Sequence, residues 1–171
     1  EEDRTKGGVY RSSDRGESWK KMSNTVSGGT GPHYYQELYT SPHEFDRLYL
    51  MNVHILSSKD GGKNFEQLTN ERNFYYYFDK KHSDHHAMAF KMSDPDYLMV
   101  GTDAGIYESF DAAKNWHYFL NLPLTQFYKV AVNNQEPFYH IFGGTQDNGS
   151  AGGPSATDEE YGITNRVWYK T

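Results

Sequence analysis

The feature that most constrains this chain is a short motif that occurs three times. The segments GGVYRSSDRGESWKKM, NVHILSSKDGGKNFEQL and DAGIYESFDAAKNWHYF each carry Ser-x-Asp-x-(Gly/Ala)-x-x-(Trp/Phe). The members are Ser12, Asp14, Gly16 and Trp19, then Ser58, Asp60, Gly62 and Phe65, then Ser109, Asp111, Ala113 and Trp116. The aspartates stand at 14, 60 and 111, so the unit recurs after 46 and then 51 residues. A repeat of that length means one supersecondary unit stacked several times, and roughly 40–50 residues is the length of a four-stranded propeller blade.

The flanks repeat as well. RLYLMN and YLMVGT precede the second and third motifs, YYQELYT and HHAMAFKM lie further upstream, and QFYKVAVN and FYHIFGGT follow the third motif in the same order. Each is a short β-rich run bounded by Gly, Pro, Asn or Asp. Four strands per unit follow, A to D, with the motif on the C–D hairpin. The expectation is an all-β fold: a partial β-propeller of four-stranded antiparallel blades, about three blades' worth with a half-blade at each end. The boundaries are 7–22 (half-blade), 33–68 and 84–120 (blades), 126–145 (half-blade) and 146–171 (irregular tail). The aromatic run Phe74–Phe78 reads as an insertion ahead of the second full blade. Unpaired sheet edges invite aggregation, so remaining blades of a longer chain, or a second copy, are expected to complete the fold. The opening EEDRTKGG does not read as a natural start.

Within the motif every residue type has a local job. An aspartate placed there accepts backbone N–H groups of its own turn. The glycine supplies the positive φ of a tight hairpin, the serine adds a further local bond, and the aromatic returns into the space between sheets. These roles are structural rather than those of three ligand sites. Ala113 makes a positive φ costlier, so the third turn is expected to be looser or of another type. Hydrophobic residues make up only 36% of the chain but aromatics 16%, so burial falls to large rings, which suit sheets. The formal charge of −6 with no basic block argues against a nucleic-acid partner. No apolar run approaches the roughly 20 residues of a membrane span, and the absence of cysteine excludes disulfides.

With these three motifs the chain resembles the Asp-box (BNR) repeat propellers, a group that includes sialidases, bacterial xyloglucanases and the sortilin luminal domain. A closer resemblance rests on HSDHHAMAF, VGTDAGIYESFD, NLPLTQFYKVAV and FYHIFGGTQDNGSAGGPS, which look like large bacterial exported sortilin-like or glycosyl-hydrolase-like BNR repeat proteins. The resemblance implies a segment of a longer secreted (extracellular or periplasmic) chain.

Strand parity locates the chemistry. The motif hairpins lie at one edge of the sheets, while the B–C turns TDAG (102–105) and TQDNG (145–149) and the entries into strand A lie at the other. That second rim carries Asp84, Asp103 and Asp147, the candidate carboxylates for glycoside hydrolysis, which needs two of them roughly 5–10 Å apart. It also carries the candidate ligand-binding residues His85, His86, Tyr34, Tyr128, Gln146 and Asn148. His82, Asp84 and His85 are candidates for a metal site, since imidazole ligates transition metals. The alternative is a hydrogen-bonded strand entrance, and adjacent His85 and His86 point to opposite faces of a strand. No cofactor is expected. A sialidase would need an arginine cluster, and Arg11 and Arg15 sit on the motif edge. GGTQDNG lacks the Lys-Ser/Thr and helix of a phosphate loop. The expected function is a binding or scaffold module for a glycan or protein. The alternative is a fragment of a glycoside hydrolase working through paired aspartates.

Overall fold

The chain is all-β. The computed structural model describes residues 7–26, 37–69, 84–103, 105–119, 121–122, 125–145, 149–164 and 166–171, and among these it contains fourteen strands and no helix. The strands form one two-stranded and three four-stranded antiparallel sheets, the blade arrangement of a partial propeller. Two compact units divide the chain, Glu1–Leu120 and Asn121–Thr171. Among the described residues no helix is long and apolar enough to cross a membrane.

In the first unit β1 (Val9–Arg11) pairs with β2 (Lys20–Ser23). Next come two meanders. The first runs β3 (Leu38–Thr40), β4 (Leu48–Met51), β5 (Ile55–Ser58) and β6 (Glu66–Gln67). The second runs β7 (His85–Phe90), β8 (Leu98–Thr102), β9 (Gly105–Ser109) and β10 (His117–Tyr118). Register explains the core. Met88, Val100, Tyr107 and Tyr118 are partners across the four strands of the second meander and form one row. Met88, Val100 and Tyr107 cluster with Tyr49, Met51 and Ile55 of the first meander, with Trp116 and Tyr118 packed against them. Burying side chains of this size contributes about 1.5–3 kcal/mol each. The two meanders are also tied at both edges. The His43 ring donates from Nε2 to the Lys91 carbonyl at 3.0 Å. At the opposite edge the Asn52 carbonyl accepts from both the backbone N–H and the Nδ1–H of His85, each at 2.9 Å.

The three Ser-x-Asp turns share one hydrogen-bond pattern. The hydroxyls of Ser12, Ser58 and Ser109 donate to Asp14, Asp60 and Asp111 at 2.7, 2.8 and 2.9 Å. They accept the N–H of Gly16, Gly62 and Ala113 at 2.7, 2.9 and 2.9 Å. The aspartates accept further backbone N–H groups: Ser18 on Asp14, Lys63 and Asn64 on Asp60, Lys114 and Asn115 on Asp111. A fifth position closes each turn, because the side chains of Ser18, Asn64 and Asn115 donate to the other carboxylate oxygen. The Ser18 hydroxyl, then its N–H and the Ser12 hydroxyl, hold the Asp14 carboxyl at about 2. The Asn64 N–H and amide hold Asp60 below the ordinary carboxylate range. Burial opposes ionisation of Asp111, and the Asn115 and Ser109 bonds outweigh it.

Two expectations about these turns need correction. Ala113 does not loosen the third turn: its φ is 70°, beside 95° at Gly16 and 92° at Gly62, and the preceding residues Arg15, Gly61 and Ala112 are also left-handed. The conformation is held from outside, since Gly61 and Ala112 donate their N–H to the carbonyls of Asp46 and Asp96 at 2.9 Å, pinning each C–D hairpin to its own A–B turn. The other correction is Trp19, which does not enter an inter-sheet space. It is 63% exposed and bends back so that Nε1–H donates to the Gly16 carbonyl at 3.1 Å. Trp116 has the cluster between two meanders to rest on; beside the two-stranded β1–β2 ribbon no such cluster is present among the described residues.

The second unit corrects a boundary. Residues 126–145 were expected as a half-blade and 146–171 as an irregular tail. Instead β11 (Lys129–Val132), β12 (His140–Gly144), β13 (Ser150–Pro154) and β14 (Tyr169–Lys170) form a complete four-stranded sheet. Its strands are hard to read because glycines replace the usual β-formers. Rings fill the space those glycines leave: Phe127 lies over Gly143, Trp168 over Gly153, and Phe142 with Tyr169 over Gly152. Ring coverage of strand glycines is a recognised way to stabilise a glycine-weakened sheet.

Candidate functional site

The rim opposite the Ser-x-Asp turns is built from B–C turns and from the start of strand A. In the second meander its centre is a β-bulge. His85 pairs with Thr102 and Ala87 with Gly101, leaving His86 as the extra residue. Strict alternation from the inward Met88 would turn His86 toward the core. The bulge shifts parity by one residue, so that His85 turns inward instead.

His85 is fully buried, 0% exposed, and bonded to Asn52 of the neighbouring meander. Burial pushes its imidazole down to about 4; the Asn52 carbonyl favours the proton, while the nearby His54 and His86 oppose it. A neutral ring donating from Nδ1 inside a packed interface is a structural tie. The expectation that His85 binds a ligand or a metal is therefore corrected: the ring is spent on the join between sheets and has no exposure to solvent.

His86 is the half-exposed member. Its Nε2–H donates to Asp103 Oδ1 at 2.7 Å, with side-chain exposures of 32% and 16%. The Asp103 carboxylate sits in the β8–β9 turn, whose backbone N–H bonds the Asp84 carbonyl at 3.2 Å. Thr102 closes the turn by donating to the Gly105 carbonyl at 3.1 Å. The corresponding turn of the second unit is closed the same way, with the Thr145 N–H and hydroxyl both on the Gly149 carbonyl at 2.9 Å. So Asp103 is not an isolated acid. It is one half of an imidazole–carboxylate pair held in fixed orientation by a bulge on one side and a tight turn on the other.

Asp84 is half-buried and contributes its carbonyl to that turn. Tyr128 is 60% exposed, at the entry to β11 in the second unit, with its N–H on the Gly144 carbonyl. Tyr34, His82, Gln146, Asp147 and Asn148 lie outside the described residues. Among the described residues no group of three or more His, Cys, Asp or Glu side chains is arranged to hold a metal ion. Two residues of this rim were missed. Asn52 and His54 occupy the β4–β5 turn, the place that Asp103 has between β8 and β9. The segment MNVHI stands where VGTDAGI and GGTQDNGS stand in the later repeats, and that alignment is the signal that could have found them.

No protein-family model matches the chain, and no curated protein matches it. Similarity is found among solved structures. One is a GH74 enzyme from Niastella koreensis, 17% identical, covering 86% of this chain and 25% of that one with a TM-score of 0.47. Another is the GH74 xyloglucanase from Xanthomonas campestris, 16% identical, covering 85% and 24% with a TM-score of 0.48. The chain spans about a quarter of the length of either structure.

Proposed function

We propose that this chain is part of a larger exported propeller of the Asp-box (BNR) type, and that it acts as a binding module whose ligand, a glycan, sits on the rim around His86 and Asp103. One observation carries the reading: the His86–Asp103 pair is half-exposed, close at 2.7 Å, and oriented by tertiary structure rather than by its own turn alone. The pair holds the more exposed His86 ring in one orientation, a surface suited to packing against a sugar ring. It is less suited to the proton transfers of hydrolysis, which call for a second carboxylate across a cleft. Asp84, whose carbonyl accepts the Asp103 N–H, is the further group we assign to this surface.

The test is a glycan array probed with and without chelator, followed by His86→Ala and Asp103→Asn. The expected result is chelator-insensitive binding that both variants weaken at least about tenfold, about 1.4 kcal/mol, with thermal midpoints close to the parent's. Hydrolysis of a bound glycan that Asp103→Asn abolishes would replace binding by catalysis. Equal binding by parent and both variants would move the ligand off this rim.

A further inference from the structure

The opposite edge of the second meander holds a second constellation that the rim reading leaves unused. On the face of β9 opposite Tyr107, the Glu108 carboxylate is clamped from two sides. Tyr97 donates its hydroxyl to Oε2 at 2.8 Å, and the His117 ring donates from Nδ1 to Oε1 at 3.1 Å. Glu108 and His117 are direct cross-strand partners on β9 and β10, which fixes their approach. Glu108 is largely covered, 13% exposed by side chain, while His117 is 68% exposed. A carboxylate on Nδ1–H selects one tautomer and leaves Nε2 as a hydrogen-bond acceptor, and among the described residues no group occupies that nitrogen. Beside the pair is a cavity of about 170 Å³ lined by Glu108, Phe110, Asp111, Asn115, Trp116 and His117. Phe110, 63% exposed and in edge contact with Tyr97 at 5.1 Å, supplies an apolar lip.

From this geometry we infer a second ligand subsite that takes a single neutral sugar ring, its apolar face against Phe110 and one hydroxyl donating to His117 Nε2. Size limits the occupant, because drug-sized ligands need roughly 300 Å³ or more and this cavity holds one ring. Charge excludes an anion: the lining has two carboxylates and neither Lys nor Arg. An ammonium ligand is disfavoured too. Such ligands want an unshared carboxylate oxygen or a cage of aromatic faces. Here both Glu108 oxygens accept from Tyr97 and His117, both Asp111 oxygens accept within the turn, and only Phe110 and Trp116 are aromatic. What remains is one acceptor next to an apolar surface, and a pyranose offers the complement, a hydroxyl donor beside C–H groups.

The site is independent of the rim, and the experiment separates them. Methyl β-D-glucoside, methyl β-D-galactoside, methyl β-D-xyloside and methylammonium are titrated into the labelled protein while the histidine side-chain and backbone amide resonances are followed by NMR. A dissociation constant on the order of 1–10 mM is expected for at least one glycoside, with shifts centred on His117, Phe110 and Trp116. His117→Ala is expected to weaken it at least about tenfold at an unchanged melting temperature, whereas His117→Gln, which keeps an acceptor, retains part of it. His86→Ala leaves it unchanged. Glycoside shifts confined to His86 and Asp103, a response to methylammonium alone, or no response at His117 to any glycoside would each overturn the assignment.

Discussion

The buried tie at His85 makes a quantitative demand on stability as a function of pH. The folded imidazole titrates at about 4 and the unfolded one at the ordinary 6.5. Between those values the unfolded chain binds the extra proton, so stability is complete above pH 6.5 and falls as the pH drops toward 4. Linkage over that window gives a loss of about 2 kcal/mol between pH 7 and 5 and about 3 kcal/mol by pH 4. The physical content is simple: a cation cannot be kept in the interface between two meanders with its Nδ1–H already committed to Asn52. The assay is urea unfolding followed by tryptophan fluorescence at several pH values, on the parent and on His85→Gln, which can still donate to the Asn52 carbonyl but does not titrate. With a slope of about 2 kcal/mol per molar urea, the parent's midpoint should fall by about 1 M between pH 7 and 5, and the variant's should fall much less. The difference between the two curves isolates His85 from the other histidines and from the carboxylates of the Ser-x-Asp turns. Those carboxylates titrate below their ordinary range and lose their contribution only at lower pH, in both proteins alike. Parallel curves would refute the placement of His85 as a neutral buried tie.

Two further substitutions test the turns. Trp116→Ala should cost about 3–5 kcal/mol and Trp19→Ala only about 0.5 kcal/mol, because one indole rests on the core cluster and the other lies on its own turn; equal shifts in melting temperature would contradict the difference in burial. Ala112→Gly should stabilise by about 0.5 kcal/mol in urea unfolding, since relief of a left-handed alanine, roughly 1–2 kcal/mol, exceeds the added freedom of the unfolded chain, roughly 0.5–1 kcal/mol; a loss of stability would mean that the methyl packs better than its exposure suggests.

The repeat was legible because its signals are local. The consecutive apolar residues of RLYLMN and YLMVGT become β4 and β8, and the aspartate turns close on themselves. What was not legible depends on neighbours or on missing side chains. Trp19 and Trp116 have the same motif position and different burial, because burial is conferred by the sheet next door. β13 is Ser-Ala-Gly-Gly-Pro, which carries no β signal of its own; its glycines are covered by Phe142, Tyr169 and Trp168, up to 17 positions away in the chain. On the rim, the sequence indicated that His85 and His86 face opposite ways. Which one faces inward was set by a bulge that no residue type announces.

That bulge also separates two kinds of edge. On the motif edge, every oxygen of the three motif aspartates is satisfied by groups within five residues, so those carboxylates are held whatever the rest of the fold does. On the rim, the bonds run between elements: His85 to Asn52 across two meanders, His86 to Asp103 across 17 residues. The half-exposed pair lies within the second meander, and the residue beside it on the chain, His85, is one of the ties joining that meander to the first. Loosening the His85 tie therefore bears directly on the bulge that turns His86 toward solvent. The rim thus leans on the join between two repeats, while each Ser-x-Asp turn is closed within its own hairpin.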